Sequence, residues 1–356
     1  MSRDPVSGHG ATNPRQWALR HWGLRLAFAV TLGLTFETLR GASLPFLAPV
    51  LALQLLAVLQ RPPPAKLVVM LVAVSAATSG VAYFVSIMTV EHAELYAIGV
   101  GLLYLWGFVL ALTPKTASIG VLTITMTVVI TGLASSSTGV ALSILVSLVI
   151  SVAASFVLVY VAHVIFPGPQ NDTNPEADQN EEVRKEPLAI GLRALAATIV
   201  LLPAHLYLNA DGVASMVVLL TMATMLRQPG LAESNRYWIA FVAGNAMGGI
   251  LAAVAYLFTT LQPHLPVLVS VIACGTLFLS YLATRSRRWA AVILPGYVAF
   301  SVLFGLVLSP LPLADGVDAV NRVLLIIGAA VYAMAFVSLL IPFLLRLKKT
   351  VRPTAA

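Results

Sequence analysis

Apolar stretches close to the length of a bilayer-spanning helix follow one another along nearly the whole chain, and this restricts the fold more than any other feature. From Trp17 onward they occupy about 19–40, 43–59, 67–88, 95–113, 118–133 and 139–166, then about 188–208, 212–226, 237–260, 265–283, 289–308 and 320–345. A hydrocarbon core needs about 20 residues of helix to cross it. Most of these stretches meet that length; 43–59 and 212–226 fall short and read as tilted, re-entrant or half of a broken helix. Composition agrees: 59% of the 356 residues are hydrophobic and 10% are charged, against roughly a quarter charged in soluble domains. The expected fold is an all-α integral membrane protein of about 12 transmembrane helices. A disulfide scaffold is excluded because Cys274 is the only cysteine.

The charges assign a side to each loop. With the N-terminus inside, nineteen of the 21 Lys and Arg lie in cytoplasmic segments or near cytoplasmic helix ends, and only Arg40 and Arg322 fall outside. The outer loops carry Glu91, Glu94, Asp211, Asp315 and Asp318 instead. Omitting or inventing one helix in the middle would scramble this positive-inside bias. The net charge of +7 therefore orients the chain in a bilayer and does not form a nucleic-acid-binding face. Residues 1–16 lack a signal-peptide pattern and are expected to be a disordered cytoplasmic tail. The membrane part divides into 17–166 and 188–345, joined by a cytoplasmic linker at 167–187 and followed by a basic cytoplasmic tail at 346–356.

The two membrane parts repeat one another at a shift of 168 residues. Gly23-Leu24-Arg25 falls on Gly191-Leu192-Arg193, and nine of thirty-eight positions in the window 23–60 are identical, including Ala42 on Ala210 and Gln60 on Gln228; further on, Gly80 meets Gly248. Units with an even number of helices give two parallel six-helix repeats, related by an axis along the membrane normal, an arrangement in which transporters place their substrate path between the repeats.

Polar residues inside the helices supply the candidate sites. Thr123, Thr127 and Thr131 recur every four residues, as do Ser143, Ser147, Ser151 and Ser155, so each helix carries a hydroxyl stripe along one face. Two readings stay open for these stripes, close helix packing and the lining of a hydrated path. Ala240, Gly244, Gly248 and Ala252 form a ladder without hydroxyls and read as packing. Pro295-Gly296 interrupts the fifth helix of the second unit, as a kink or as the break that marks many transporter sites.

Few charges lie within the apolar segments. Arg25 and Arg193, paired by the repeat, either snorkel to the headgroups or hold an anionic substrate at the inner mouth, where a guanidinium binds a carboxylate as a fork. His163 is expected at the inner interface, and Arg322 beside Asp318 reads as an outer ion pair. The repeat also superposes Glu37 on His205, each about 18 Å beyond its arginine at 1.5 Å per residue. One reading leaves both at the outer interface, Glu37 paired with Arg40 and His205 wetted near Asn209 and Asp211. In the other, they approach across the two-fold axis and exchange protons during transport, a task suited to His.

The doubled unit, the arginine in each first helix, the Pro-bearing short second helix running from Pro45-Phe46-Leu47-Ala48-Pro49 to Gln60-Arg61, and the cytoplasmic break at 167–187 resemble the fusaric-acid-resistance-like family of aromatic acid exporters. The chain resembles a short branch without the large soluble domain that other members carry between the halves. The resemblance implies an efflux transporter subunit of a bacterial inner membrane, exporting weakly acidic aromatic or other anionic compounds with a periplasmic adaptor protein. No phosphate-binding loop is present, and neither a His-Glu-x-x-His pattern nor a ligand-spaced cluster of His and carboxylates. The expectation is therefore of no enzyme, no metal and no cofactor, with the small anionic substrate, the adaptor and the bilayer as partners. The alternative is an accessory or scaffold membrane subunit without transport of its own.

Overall fold

The computed structural model describes residues 14–58, 61–89, 91–134, 138–167, 187–208, 213–227, 235–285 and 287–309. Among them are eleven α-helices, one 3-10 turn at Pro114–Thr116 and no strand. In chain order the helices are α1 (Pro14–Leu39), α2 (Leu47–Val58), α3 (Ala65–Thr89), α4 (Ala93–Leu112), α5 (Ala117–Ala134), α6 (Thr138–Ile165), α7 (Pro187–Leu208), α8 (Val213–Leu226), α9 (Asn235–Leu261), α10 (Leu265–Arg285) and α11 (Arg287–Val307). The twelfth expected helix, at 320–345, lies outside the described residues, as do the 167–187 linker from residue 168 to 186, Arg322, Asn209 and Asp211.

Among the described residues, seven helices are long and apolar enough to cross a membrane: α3, α4, α5 with the preceding turn, α6, α7, α9 and α10. The chain is a multi-pass helical membrane protein. Backbone groups in hydrocarbon must all be bonded within the segment, so runs of this length can only be helical there. The lipid-facing surface is apolar, with Phe84, Trp106, Val157, Leu257 and Phe278 all exposed. Helices α2 and α8 span 12 and 14 residues, shorter than a full crossing, as the sequence led one to expect.

The packing pairs the helices in a reciprocal pattern. α1 packs on α2, and α7 on α8; α3 packs on α5, and α9 on α11; α4 packs on α5, and α10 on α11. Between the two halves, α1 lies against α10 while α7 lies against α4, and α2 meets α11 while α5 meets α8. Interior side chains from both halves fill one apolar core that includes Leu34, Phe46, Tyr104, Phe108, Phe156, Tyr297 and Phe300.

The small-residue ladder packs as expected. A Cβ at Gly244 or Gly248 would meet the carbonyl oxygen of Val292 or Gly296 at less than 3.0 Å, so α9 and α11 approach at the glycine ladder of one and Pro295-Gly296 of the other. Helix α11 continues through Pro295 without a break. Its Pro-Gly pair therefore serves helix contact here.

Candidate functional site

The end of α1 builds the first polar site. Gly41 has φ +65°, the left-handed conformation that glycine adopts without a Cβ penalty. Its N–H donates to Thr38 O at 3.0 Å, and the Ala42 N–H to Glu37 O at 2.9 Å. This pair of bonds is a Schellman ending, with Gly41 just past the cap and Arg40 at it. It turns the chain toward α2 and leaves the Arg40 side chain free to fold back along α1. Arg40 Nε donates to Glu37 Oε2 at 2.7 Å, and Arg40 Nη2 lies 2.5 Å from the same oxygen. Nη2 also donates to Ser151 Oγ of α6 at 2.9 Å.

Glu37 thus pairs with Arg40, but away from the outer surface: its side chain is 0% exposed against 22% for that of Arg40. Glu37 Oε1 has no hydrogen-bond partner among the described residues. A buried carboxylate with one oxygen unbonded is costly, and in a membrane interior such groups sit where function needs them.

The second site surrounds His205, also 0% exposed. Tyr96 and Tyr104 stand eight residues apart on α4, hence on one face, and bracket the imidazole from α7. Tyr104 Oη lies 3.0 Å from His205 Nδ1, and Tyr96 Oη 3.2 Å from Nε2. Thr131 Oγ1 of α5 lies 3.3 Å from Nε2. The Tyr96 ring stacks on the imidazole at 6.2 Å between centroids and the Tyr104 ring meets it edge-on at 5.7 Å.

The hydrogen bonds assign the tautomer. Tyr96 donates its proton to Thr131 O at 2.9 Å, and Thr131 donates its own to Thr127 O at 2.6 Å. Both partners of Nε2 can therefore only accept, so a neutral His205 carries its proton on Nε2 and takes the Tyr104 hydroxyl proton at Nδ1. In place of the interfacial position considered for His205, the structure gives it a buried cage built from the other half of the chain.

Glu37 and His205 have separate partners. Glu37 faces α6 through Arg40 and Ser151, whereas His205 faces α4 and α5, and no hydrogen bond links the two among the described residues. The remaining sequence candidates divide likewise. Thr123, Thr127 and Thr131 are buried, and the hydroxyls of Thr127 and Thr131 donate to carbonyls four residues back, which favours packing for that stripe. Thr131 is the exception that also accepts from His205. The serine stripe runs from exposed Ser143 through half-buried Ser147 to buried Ser151.

Arg25 is 4% exposed and its Nε donates to the Phe166 carbonyl at 2.6 Å, satisfying an acceptor just beyond the end of α6. Arg193 is half-buried on α7. His163, expected at the interface, is buried with Nδ1 2.8 Å from Val159 O. A third polar cluster, not foreseen, joins α1, α10 and α11: Thr31 Oγ1 lies 3.0 Å from Thr276 Oγ1, Ser280 donates to Gly23 O at 2.6 Å and contacts the Tyr297 hydroxyl, which donates to Thr276 O. Tyr96 and Tyr104 were likewise absent from the candidates, whereas the Glu37–Arg40 pair is the one the sequence offered; the spacing of the two tyrosines is the signal that could have drawn attention to α4.

Comparison with known families gives a partial match. Residues 23–162 match the family described as "Protein of unknown function (DUF2955)". The match starts in α1 and ends in α6, so it covers most of the first six helices, and it is to a family other than the fusaric-acid-resistance-like one. Neither the curated proteins nor the solved structures contain a match to the chain. The region 23–162 of this multi-pass helical membrane protein is thus similar to a family of unknown function.

Proposed function

We propose that the chain is an efflux transporter subunit of a bacterial inner membrane, moving weakly acidic aromatic or other small anionic compounds together with a periplasmic adaptor protein. The observation that carries this reading is the full burial of two ionisable side chains, Glu37 and His205, inside a bundle with an apolar exterior. Such groups are costly in hydrocarbon and mark ion or proton pathways. In this reading they are the proton-coupling residues, and the route between their separate partners passes through helix movement.

The reciprocal packing supports a two-fold relation between 17–166 and 188–345. The first helix of each half lies on the fourth of the other, and the second on the fifth, as a parallel repeat requires. The substrate path then lies between the halves, with Arg25 and Arg193 drawing anions to the inner mouth and the inner members of the Ser143, Ser147 and Ser151 stripe, together with Thr131, nearest the path. A scaffold role without transport is the second reading. It draws on the closed hydrogen bonding of His205 and on the bond from Arg25 to Phe166, both of which suit a rigid bundle.

Two experiments test these statements. In a version lacking Cys274, cysteines at 92 and 262 are expected to react with an impermeant maleimide applied to intact cells, and a cysteine at 172 to react only after lysis; labelling at 172 in intact cells rejects the twelve-helix topology. Deleting the gene is expected to raise cellular accumulation of weakly acidic aromatic compounds, with Glu37→Gln and His205→Ala each reproducing much of that rise at wild-type expression. Unchanged accumulation across a panel of such acids, with related exporters also removed, rejects the substrate class and leaves the scaffold reading in front.

A further inference from the structure

The guanidinium of Arg40 is only partly used. Its Nε and Nη2 hold a single oxygen of Glu37, and Nη2 is shared with Ser151 Oγ and, at 3.5 Å, with the Ser147 carbonyl. Nη1 makes no hydrogen bond among the described residues, and the side chain is 22% exposed while the carboxylate beneath it is 0% exposed. Among the described residues the partner carboxylate is itself half satisfied, with Oε1 unbonded. The parallel fork of two donors on two oxygens is the strong arginine–carboxylate geometry. Here the fork is not made, and one edge of the arginine faces outward.

We propose that Arg40 is an anion-binding residue at the outer end of the first helix unit, where the carboxylate of a cargo molecule competes with Glu37 for the guanidinium. This deepens the exporter reading and rests on it. Cargo arriving at the free Nη1 edge forms the two-bond fork that Glu37 does not, and draws Arg40 off Glu37 Oε2. Ser151 keeps the guanidinium in place during the exchange. When Glu37 recaptures Arg40, the anion loses its partner and leaves. The arginine is on the side that the charge distribution reads as outer, so this is the release step of an export cycle. Lipid headgroup phosphate would present related chemistry, and the probe below separates the two.

The test measures binding of radiolabelled benzoate to the full-length protein in nanodiscs made from zwitterionic lipid alone, with benzyl alcohol as the uncharged counterpart and thermal unfolding recorded for each variant. Arg40→Gln is expected to weaken benzoate binding by about tenfold or more, and Glu37→Gln, which removes the competitor, to strengthen it several-fold. Opposite signs from two residues of one ion pair are the signature; loss of a structural pair would weaken both variants or neither. A folded Arg40→Gln protein with wild-type affinity overturns the proposal, and so does a Glu37→Gln protein with unchanged or weaker binding. If Arg40→Gln does not fold, the Glu37→Gln result decides. Benzoate binding that is lost when the nanodiscs are made instead with anionic lipid would point to a headgroup site, and binding that benzyl alcohol matches would show no recognition of charge; either overturns the cargo assignment. If the wild-type protein binds neither benzoate nor any other aromatic acid of the panel, the anionic-cargo reading fails and takes this proposal with it, whereas binding unaltered in both variants rejects Arg40 alone.

Discussion

Gly248→Ala is expected to lower the yield and thermal stability of the folded protein sharply, while Gly80→Ala, at the matching position of the first half, leaves both unchanged or slightly raised. In a helix, Ala is ordinarily favoured over Gly by about 1 kcal/mol. At Gly80 a new Cβ meets nothing within 4 Å, so that gain is available. At Gly248 it would lie 2.9 Å from both the Phe300 backbone nitrogen and the Ala299 Cβ, and nearer still to the Gly296 carbonyl oxygen. Two of these three are backbone atoms of α11, which cannot turn aside as a side-chain tip can. The helices must separate, and overpacking of this kind costs about 1–3 kcal/mol or more. Fluorescence-detected size exclusion after heating separates the outcomes; equal melting of Gly248→Ala and wild type would show that α9 and α11 are not this close.

The His205 cage predicts an unequal response from its two tyrosines. Tyr104→Phe removes the sole donor to Nδ1 among the described residues and strands a buried acceptor. Tyr96→Phe leaves Nε2 with Thr131 while also taking the donor from the Thr131 carbonyl, so it is the coupling to His205, not the total loss, that should be smaller than for Tyr104. Hydrogen bonds in membrane bundles average about 0.6 kcal/mol in double-mutant cycles and reach about 1.7. The Tyr104–His205 coupling is expected near that upper value, because neither atom can reach water. Unfolding of Tyr104→Phe, His205→Leu and the double variant in mixed micelles measures it. Additive losses, or a larger coupling to His205 from Tyr96 than from Tyr104, would contradict the proton placement derived for the imidazole.

What could be read from the sequence follows the range of the forces involved. The helices were legible because each apolar run is a local signal: 188–208 became Pro187–Leu208, and the shortness of 43–59 and 212–226 carried over to helices of 12 and 14 residues. The depth of Glu37 and His205 along their helices left two readings open, the outer interface and the bundle interior, because a count along one segment does not say what surrounds it. Their partners were harder. Tyr96 and Tyr104 reach His205 across 109 and 101 residues, and no pattern within α4 states which helix it will face. The repeat misleads at this point, since positions equivalent by register differ in surroundings: Arg25 is buried against Phe166, and Arg193 is only half-buried. Gly80 and Gly248 make the same point in opposite senses. Register carries over backbone position, and it does not carry over the neighbours.

The close of α1 limits how the chain can vary in length. Glu37 contributes both its side chain, to Arg40, and its carbonyl, to the Ala42 N–H that ends the helix. Backbone turn and ion pair are therefore in one register. Inserting a single residue between Glu37 and Gly41 would turn Arg40 by about 100° around the helix axis and move it about 1.5 Å along it. That takes the guanidinium away from Ser151 and moves the left-handed glycine off the position where the chain must bend toward α2. Insertions and deletions among proteins sharing this segment should accumulate in connections such as the one between α3 and α4, and spare the five residues from Glu37 to Gly41.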